Sequence, residues 1–242
     1  MMVKKALILA AGLGSRLLKQ TEDNPKALVE VNGKPILEYQ LEALEKNGIK
    51  DIVLVIGYKG EKIKEFLKGR FTNLNIKFIE NKEYAVSNSS YSFWLAKDEI
   101  KNEPYLHINC DIIFFADLIK KLINTKYDNV IIVDKKVPHG KKREYVLLKG
   151  DKIIKMNREV RNPVGQGTGI ARFSPENIGW LIEKMERYIE EGDKDQTFYN
   201  FIRDGIHFKN FYGLDSENLF IKEINTLEEL EEANLLLSEL KK

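Results

Sequence analysis

The sequence predicts an α/β fold with a mixed, mostly parallel sheet and helices on both faces. Three observations carry this. The first half alternates short apolar runs with segments of helical period, the pattern of repeated βαβ units. The runs KKALILA, DIVLVIG and YLHIN lack the polar alternation of half-exposed strands, so they read as strands buried on both faces. Beyond Asp134 successive strand-like runs meet at turns rather than across helices, which brings antiparallel strands into the sheet.

Each element has its own signal. KKALILA is a strand closed by glycine. Residues 35–47 carry apolar residues at helical spacing, with Pro35 suited to a first turn and Gly48 to the position past the end. DIVLVIG is a strand, 60–69 a helix and NIKFIE a strand. Residues 90–100 form a helix that Asn88 and Ser89 can cap. YLHIN ends at Cys110-Asp111; a helix over 116–124 and the strand NVIIVD follow. EYVLLKGDKIIKM is a hairpin turning at Gly150-Asp151, and GIARFS is a further strand. Ser174-Pro175 opens a long helix, 198–203 is helical and LFIKEI is a last strand. Thr226 to Glu229 spell a capping box that opens the C-terminal helix. No repeat or low-complexity tract interrupts the chain, so 1–242 reads as one domain.

Bulk composition narrows the function. Apolar residues are 43% and charged residues 31% of the 242, ordinary for a globular protein with a sizeable core. A net charge of +2 gives no basic face of nucleic-acid size. One cysteine, Cys110, excludes an internal disulfide and fits a reducing compartment. Lys4-Lys5 before ALILAA mimics a signal peptide, but the run stops at Gly12 and Arg16, and no other stretch is long enough to span a bilayer. The expectation is a cytoplasmic protein with no nucleic-acid or membrane partner. Charge carried mainly by Lys and Glu, with four Gln, leans toward a thermophile.

The chemistry starts at LILAAGLGSRL, Leu7 to Leu17. Ligands of such sheets bind beyond the carboxyl ends of the strands, where this loop lies. The phosphate loop GxxxxGK[ST] is absent. The dinucleotide fingerprint fails at Leu17, where a third glycine belongs, and at Gly57-Tyr58, where an acid belongs. What remains is Leu9, Ala10, Ala11, Gly12, Gly14, Ser15 and Arg16, followed by Lys26 in NPKAL. Small residues let backbone approach a flat base and turn N–H groups toward phosphate, and two cations stand beside them. A tight strand exit with two solvated cations has the same local pattern.

The full string LILAAGLGSRL…NPKALVEVNGKPILEY resembles the signature (L/I)AAGxGxR…PKxL of the nucleotidyltransferase superfamily, which holds sugar-nucleotide pyrophosphorylases and cytidylyltransferases of small phospho-alcohols. The helix YSFWLAKDEI and the ending EIN look most like the phosphocholine and inositol-phosphate cytidylyltransferases. The resemblance implies a Rossmann-like fold of the nucleotide-diphospho-sugar transferase type, with 1–135 as nucleotide-binding half and 136–242 as acceptor-binding half. It implies attack of an acceptor phosphate on the α-phosphorus of CTP, with pyrophosphate leaving. Such a step needs charge neutralisation and alignment, with Mg²⁺ as the expected tool.

On this resemblance Arg16 and Lys26 meet the triphosphate and the reacting phosphates, and the base lies over Leu9 to Gly12 with Asn88 and Ser89 at its edge. Asp111, at a strand end, becomes a metal ligand; otherwise it is a strand-end or helix-capping residue. The second metal acid falls on Glu223, and its neighbouring acid falls on Asn225, which is a neutral ligand or a helix cap. Lys141, in the basic stretch before the hairpin, and Tyr145 are expected near the acceptor, as are Phe198 and Tyr199. Gln196, Thr197 and Asn200 suit hydroxyls better than a quaternary ammonium, which favours inositol 1-phosphate; Asp195 could supply the charge that phosphocholine needs. Cys110 and His107 read as core residues, and the C-terminal helix as a packing helix or a homodimer seam. A non-catalytic relative would be expected to lose Lys26 or the acids, and a glycosyltransferase would want DxD where NCDI stands.

Overall fold

The computed structural model describes residues 3–136 and 144–240. The chain runs β1 (Lys5–Ala10), a 3-10 turn (Ser15–Leu17), α1 (Lys19–Glu22), a second 3-10 turn (Lys26–Leu28), β2 (Glu30–Val31), β3 (Lys34–Pro35), α2 (Ile36–Lys46) and β4 (Asp51–Ile56). Next come α3 (Gly60–Leu67), β5 (Asn75–Glu80), α4 (Ser89–Leu95), α5 (Lys97–Ile100), β6 (Tyr105–Asn109), β7 (Ile112–Phe114), α6 (Ala116–Ile123) and β8 (Val130–Asp134). The remainder is β9 (Tyr145–Lys149), β10 (Lys152–Asn157), β11 (Gly165–Phe173), α7 (Pro175–Glu190), α8 (Phe198–Gly205), β12 (Tyr212–Asp215), β13 (Ile221–Glu223) and α9 (Leu227–Glu239).

Among the described residues nine strands make one sheet in the order β5-β4-β1-β6-β11-β8-β12-β10-β9. β5, β4, β1 and β6 are parallel neighbours, as are β8 and β12. β11 is antiparallel to β6 and β8, and β9–β10 is a hairpin. The sheet is mixed for the reason the sequence suggests: helices separate the early strands, whereas Gly150 in a left-handed turn joins β9 to β10.

Both faces are covered. Along β1, Ala6, Ile8 and Ala10 pack with α2, α3 and α6, while Leu7 and Leu9 point the other way, toward α4, α7 and α8. Period-two alternation thus places two apolar faces on one strand, and the continuous apolar run in the sequence follows. A third cluster seats α9, through Leu230, Ala233 and Leu237, against Leu17, Val31, Ile36, Ile113 and Ile224.

Several boundaries differ from the sequence expectations. Pro35 adopts φ −57°, ψ 143° and precedes α2 instead of starting it. The helix expected over 90–100 breaks at Ala96 into α4 and α5. LFIKEI gives only three strand residues, and they pair with β7 in a separate two-stranded ribbon. Ser174 holds the cap position of α7 without a capping bond from its side chain to the helix backbone, and Pro175 opens the helix. At α9, Thr226 Oγ1 accepts from Glu229 N, and the Glu229 carboxylate accepts from the backbone of Asn225, one residue earlier than a standard capping box.

The β7–β13 ribbon is what positions the site. Glu223 pairs with Ile112, and Ile224 N donates to Asp111 O at 2.8 Å, so the sequence-distant 111 and 223–225 segments become neighbours. Leu9 pairs with Asn109, and Cys110 N donates to Leu9 O, which sets the β1 loop beside Asp111. Because β11 runs antiparallel to β6, its first residues lie at the same edge.

Candidate active site

Two cavities meet at the carboxyl edge of the parallel strands. One, of about 400 Å³, is lined by the β1 loop from Ala11 to Arg16, by Lys26, and by Asn81, Tyr84, Ser87 and Asn88. The other, of about 490 Å³, is lined from the second half of the chain by Glu144, Arg158, Gln166, Thr197, Tyr199 and Glu223. Arg16, Ser89, Asn109, Asp111 and Asn225 border both, and form a seam between them.

The loop geometry explains its glycines. Gly14 has φ +66°, and a Cβ there would come within 3.1 Å of Lys26 Cβ, so glycine answers both the left-handed turn and the close approach. Pro25, extended at φ −66° and ψ 148°, leads into the 3-10 turn that carries Lys26. Lys26 is only 9% exposed. Its Nζ donates to Asp111 Oδ2 at 2.8 Å and to Asn225 Oδ1 at 2.9 Å. Arg16 donates to the same Asn225 oxygen at 2.6 Å, and Asn225 Nδ2 donates to Glu223 Oε1 at 2.6 Å. Gln166 Nε2 donates to the other Glu223 oxygen at 2.6 Å. Asp111 Oδ1 is buried and has no hydrogen-bond partner among the described residues.

This cluster of two cations, two acids and two amides, set between a glycine loop and a second cavity, can gather and neutralise phosphate groups. A profile of the MobA-like NTP transferase domain matches residues 6–166.

The chain belongs to the MobA-like NTP transferase family.

It is accordingly a nucleotidyltransferase, on the mixed-sheet α/β fold of the nucleotide-diphospho-sugar transferases. Choline-phosphate cytidylyltransferase of Streptococcus pneumoniae is 31% identical over 228 residues, 93% of this chain and 94% of that protein. CTP:phosphoglutamine cytidylyltransferase of Campylobacter jejuni is 40% identical over 136 residues, 54% of this chain and 52% of that protein. Among solved structures, CTP:phosphocholine cytidylyltransferase from Streptococcus pneumoniae superposes with a TM-score of 0.80 at 26% identity, over 98% of this chain and 100% of that one. The inositol-1-phosphate CTP transferase from T. maritima gives 0.81 at 23% identity, over 100% and 98%, a likeness of fold.

Several residues of this NTP transferase stand where the sequence did not put them. Phe198 lies in the core, 2% exposed, its ring stacked on His107 at 4.2 Å, and lines neither cavity. Tyr145 is buried in the sheet opposite Gln166 and Asn157; its neighbour Glu144 reaches the cavity instead. Asn88 lines the first cavity and also caps α4, its oxygen accepting from Ser89 N and its amide nitrogen donating one proton to Asp195 at 3.2 Å. Ser89 Oγ accepts from Phe198 N. The oxygen of Asn225 is taken up by two cations, and the cap of α9 falls on Thr226. Tyr199 does line the second cavity, with its hydroxyl donating to Thr168 O. Burial, then the charges of Glu223, Glu144 and Asp111, hold that phenol well above its ordinary pKa and keep it a donor. Lys141 lies outside the described residues.

Lining residues that escaped the sequence reading include Asn109, Gln166 and Glu144. Gln166 had a signal, a lone polar residue flanked by glycines in GQGTG, and Asn109 is the polar end of an otherwise apolar strand. Glu144 is gripped by Arg203, Nε to Oε2 at 3.1 Å and Nη2 to Oε1 at 2.6 Å, and by Arg158 at 3.3 Å. Cys110 is buried, and burial with the neighbouring Asp111 charge pushes its thiol up to about 12, which removes it as a nucleophile.

His107 is a buried ring among Phe93, Phe173 and Phe198, and burial pushes its imidazole down to about 4. The unfolded chain takes up a proton below about pH 6.5 and the folded one does not until about pH 4, so this group erodes stability as pH falls through that window, by up to about 3 kcal/mol. Melting temperatures between pH 7 and pH 4.5 should fall less in His107→Phe than in the wild type. Parallel curves for the two proteins contradict this.

Proposed function

We propose that this transferase is a Mg²⁺-dependent cytidylyltransferase that joins CMP from CTP to the phosphate of a small polyol, with inositol 1-phosphate as the leading acceptor. The observation that carries it is the seam. A nucleotide in the loop-side cavity and a phospho-alcohol in the other would bring their phosphates together at Arg16, Lys26 and Asp111. This reading assigns 1–135 to the nucleotide and 136–242 chiefly to the acceptor.

An acceptor phosphate oxygen attacks the α-phosphorus; that O–P bond forms as the α–β bridge breaks, and pyrophosphate carries away the electron pair. A phosphate is ionised near neutrality, so no general base is needed. Arg16 and Lys26 offset the charge on the triphosphate and the leaving group. Asn225 ties both cations to Glu223 and so fixes their spacing. The donor set also fits a hard cation. Asp111 and Glu223 are carboxylates at adjoining ribbon ends, and the Asp111 oxygen without a partner is a buried acceptor that a cation would satisfy. Mg²⁺ takes one or two protein carboxylates and completes its shell with phosphate and water, a role these two acids could fill. When bound it would neutralise and polarise the reacting phosphates.

For the acceptor, the second cavity presents, among the described residues, one aromatic ring, Tyr199, whose hydroxyl is already engaged, alongside Gln166, Thr197, Glu144 and Arg158. A quaternary ammonium is held by several aromatic faces, whereas hydroxyls are held by amides and carboxylates. The similarity to choline-phosphate and phosphoglutamine cytidylyltransferases supports CTP as donor. Pyrophosphate release from CTP with inositol 1-phosphate and with phosphocholine at equal concentration tests the choice. Inositol 1-phosphate is expected to be the better substrate; a tenfold or greater preference for phosphocholine sinks the polyol reading and leaves nucleotidyl transfer standing.

A further inference from the structure

Asn109 closes β6 and borders both cavities, and its side chain is held in one orientation. Its Oδ1 faces His107 Nε2 at 3.3 Å, and its backbone carbonyl accepts from Gln40 Nε2 at 2.9 Å. Across the strand pair stands Gly169, where any Cβ would collide with the Asn109 amide. His107 is itself immobilised, 1% exposed and stacked on Phe198 with an interplanar angle of 13°. Its second nitrogen, Nδ1, is buried with no partner among the described residues.

That orphan decides the tautomer. An N–H buried without an acceptor forfeits a strong donor, whereas a bare ring nitrogen loses less, and orphaned donors are the rarer case in folded proteins. The proton therefore sits on Nε2 and donates to Asn109 Oδ1. The imidazole stays neutral at working pH because burial holds it near 4. With the carbonyl end of the amide committed inward, the NH₂ group is what Asn109 offers the seam, and it donates to no protein group among the described residues.

We propose that Asn109 Nδ2 donates a hydrogen bond to a phosphate oxygen at the seam, and that His107 is the positioning residue that keeps this donor outward. The proposal rests on reading the two cavities as nucleotide and acceptor sites. The bond is neutral-to-anion and directed by a fixed ring, so it adds alignment where Arg16 and Lys26 add charge. His107 touches neither cavity and acts only through Asn109.

The test compares wild type, Asn109→Ala, Asn109→Asp, His107→Phe and the Asn109→Ala/His107→Phe double variant. CTP affinity is read by calorimetry without acceptor, and pyrophosphate release is read with CTP, Mg²⁺ and the acceptor. Asn109→Ala should lower kcat/KM about tenfold to a hundredfold, the range for one bond to a charged group. Asn109→Asp should lose more, since it sets a carboxylate against phosphate. His107→Phe keeps the stacked ring, should fall in the same parameter, and should add no further loss in the double variant. A weakened CTP affinity in Asn109→Ala assigns the oxygen to the nucleotide; a rise confined to the acceptor KM assigns it to the acceptor phosphate. Asn109→Ala matching wild type in both readouts overturns the donor. Losses that multiply in the double variant overturn the positioning role, because a merely structural His107 would act independently. Wild type that binds CTP but transfers to no phospho-alcohol defeats the acceptor reading while the calorimetric arm still decides the donor; wild type that binds no CTP defeats both.

Discussion

Lys26→Ala is expected to lower turnover by about 10²-fold or more, the scale on which one preorganised charge at a reacting centre counts. The side chain is nearly excluded from water, and its ammonium is pinned between Asp111 and Asn225 rather than waving from the surface. A cation held this way does not have to be collected and oriented when phosphates arrive. The same removal strands Asp111, whose Oδ2 loses its bond from Lys26 while Oδ1 has no partner among the described residues, so a modest drop in melting temperature should accompany it. Lys26→Arg should restore little, because the side chain is nearly buried and a planar guanidinium does not reproduce the ammonium's converging bonds to Asp111 Oδ2 and Asn225 Oδ1. Steady-state and single-turnover rates on folded protein, checked by circular dichroism, give the answer. Near-normal turnover in Lys26→Ala would move the catalytic charge to Arg16.

Asp111→Asn should be comparably damaging, with the fold retained. The substitution preserves shape and keeps one oxygen for Lys26, but removes the negative charge that the proposed Mg²⁺ site needs. Turnover should fall about 10²-fold or more, and the Mg²⁺ concentration for half-maximal rate should rise. Wild-type activity should disappear in a chelator and return with added Mg²⁺. Undiminished activity in the chelator is the result that removes the metal from the mechanism.

The strands and the glycine loop after β1 were legible because their signals are local. KALILA, DIVLVI and YLHIN are apolar on both faces for a reason internal to each strand, and Gly14 and Pro25 act within a few residues of Lys26. The departures come from long-range choices. Nothing within LFIKEI says that its partner is β7 rather than the large sheet, since three residues suit either ladder. Phe198 was legible in principle: with Phe201 and Ile202 it forms the buried face of α8, and that spacing turns Tyr199 toward the cavity instead. Asn88 shows a different obstacle, because the residue types that cap helices are those that read bases, and here one residue both caps α4 and lines the first cavity. Glu144 depended on Arg203, 59 residues away, which no spacing rule reaches.

The ribbon of β7 and β13 has a consequence for how the enzyme comes into being. Leu9, Gly14, Lys26 and Asp111 all leave the ribosome in the first half of synthesis, but Glu223 and Asn225 reach their places only when β13 is laid beside β7 and α9 closes over it. The matched family span, 6–166, ends before that strand is made. Until then Leu17 lacks the α9 face it packs against and Arg16 lacks Asn225, so the glycine loop itself stays unanchored beside Asp111 and Lys26. On the proposed mechanism, chemistry waits for the last stretch of polypeptide.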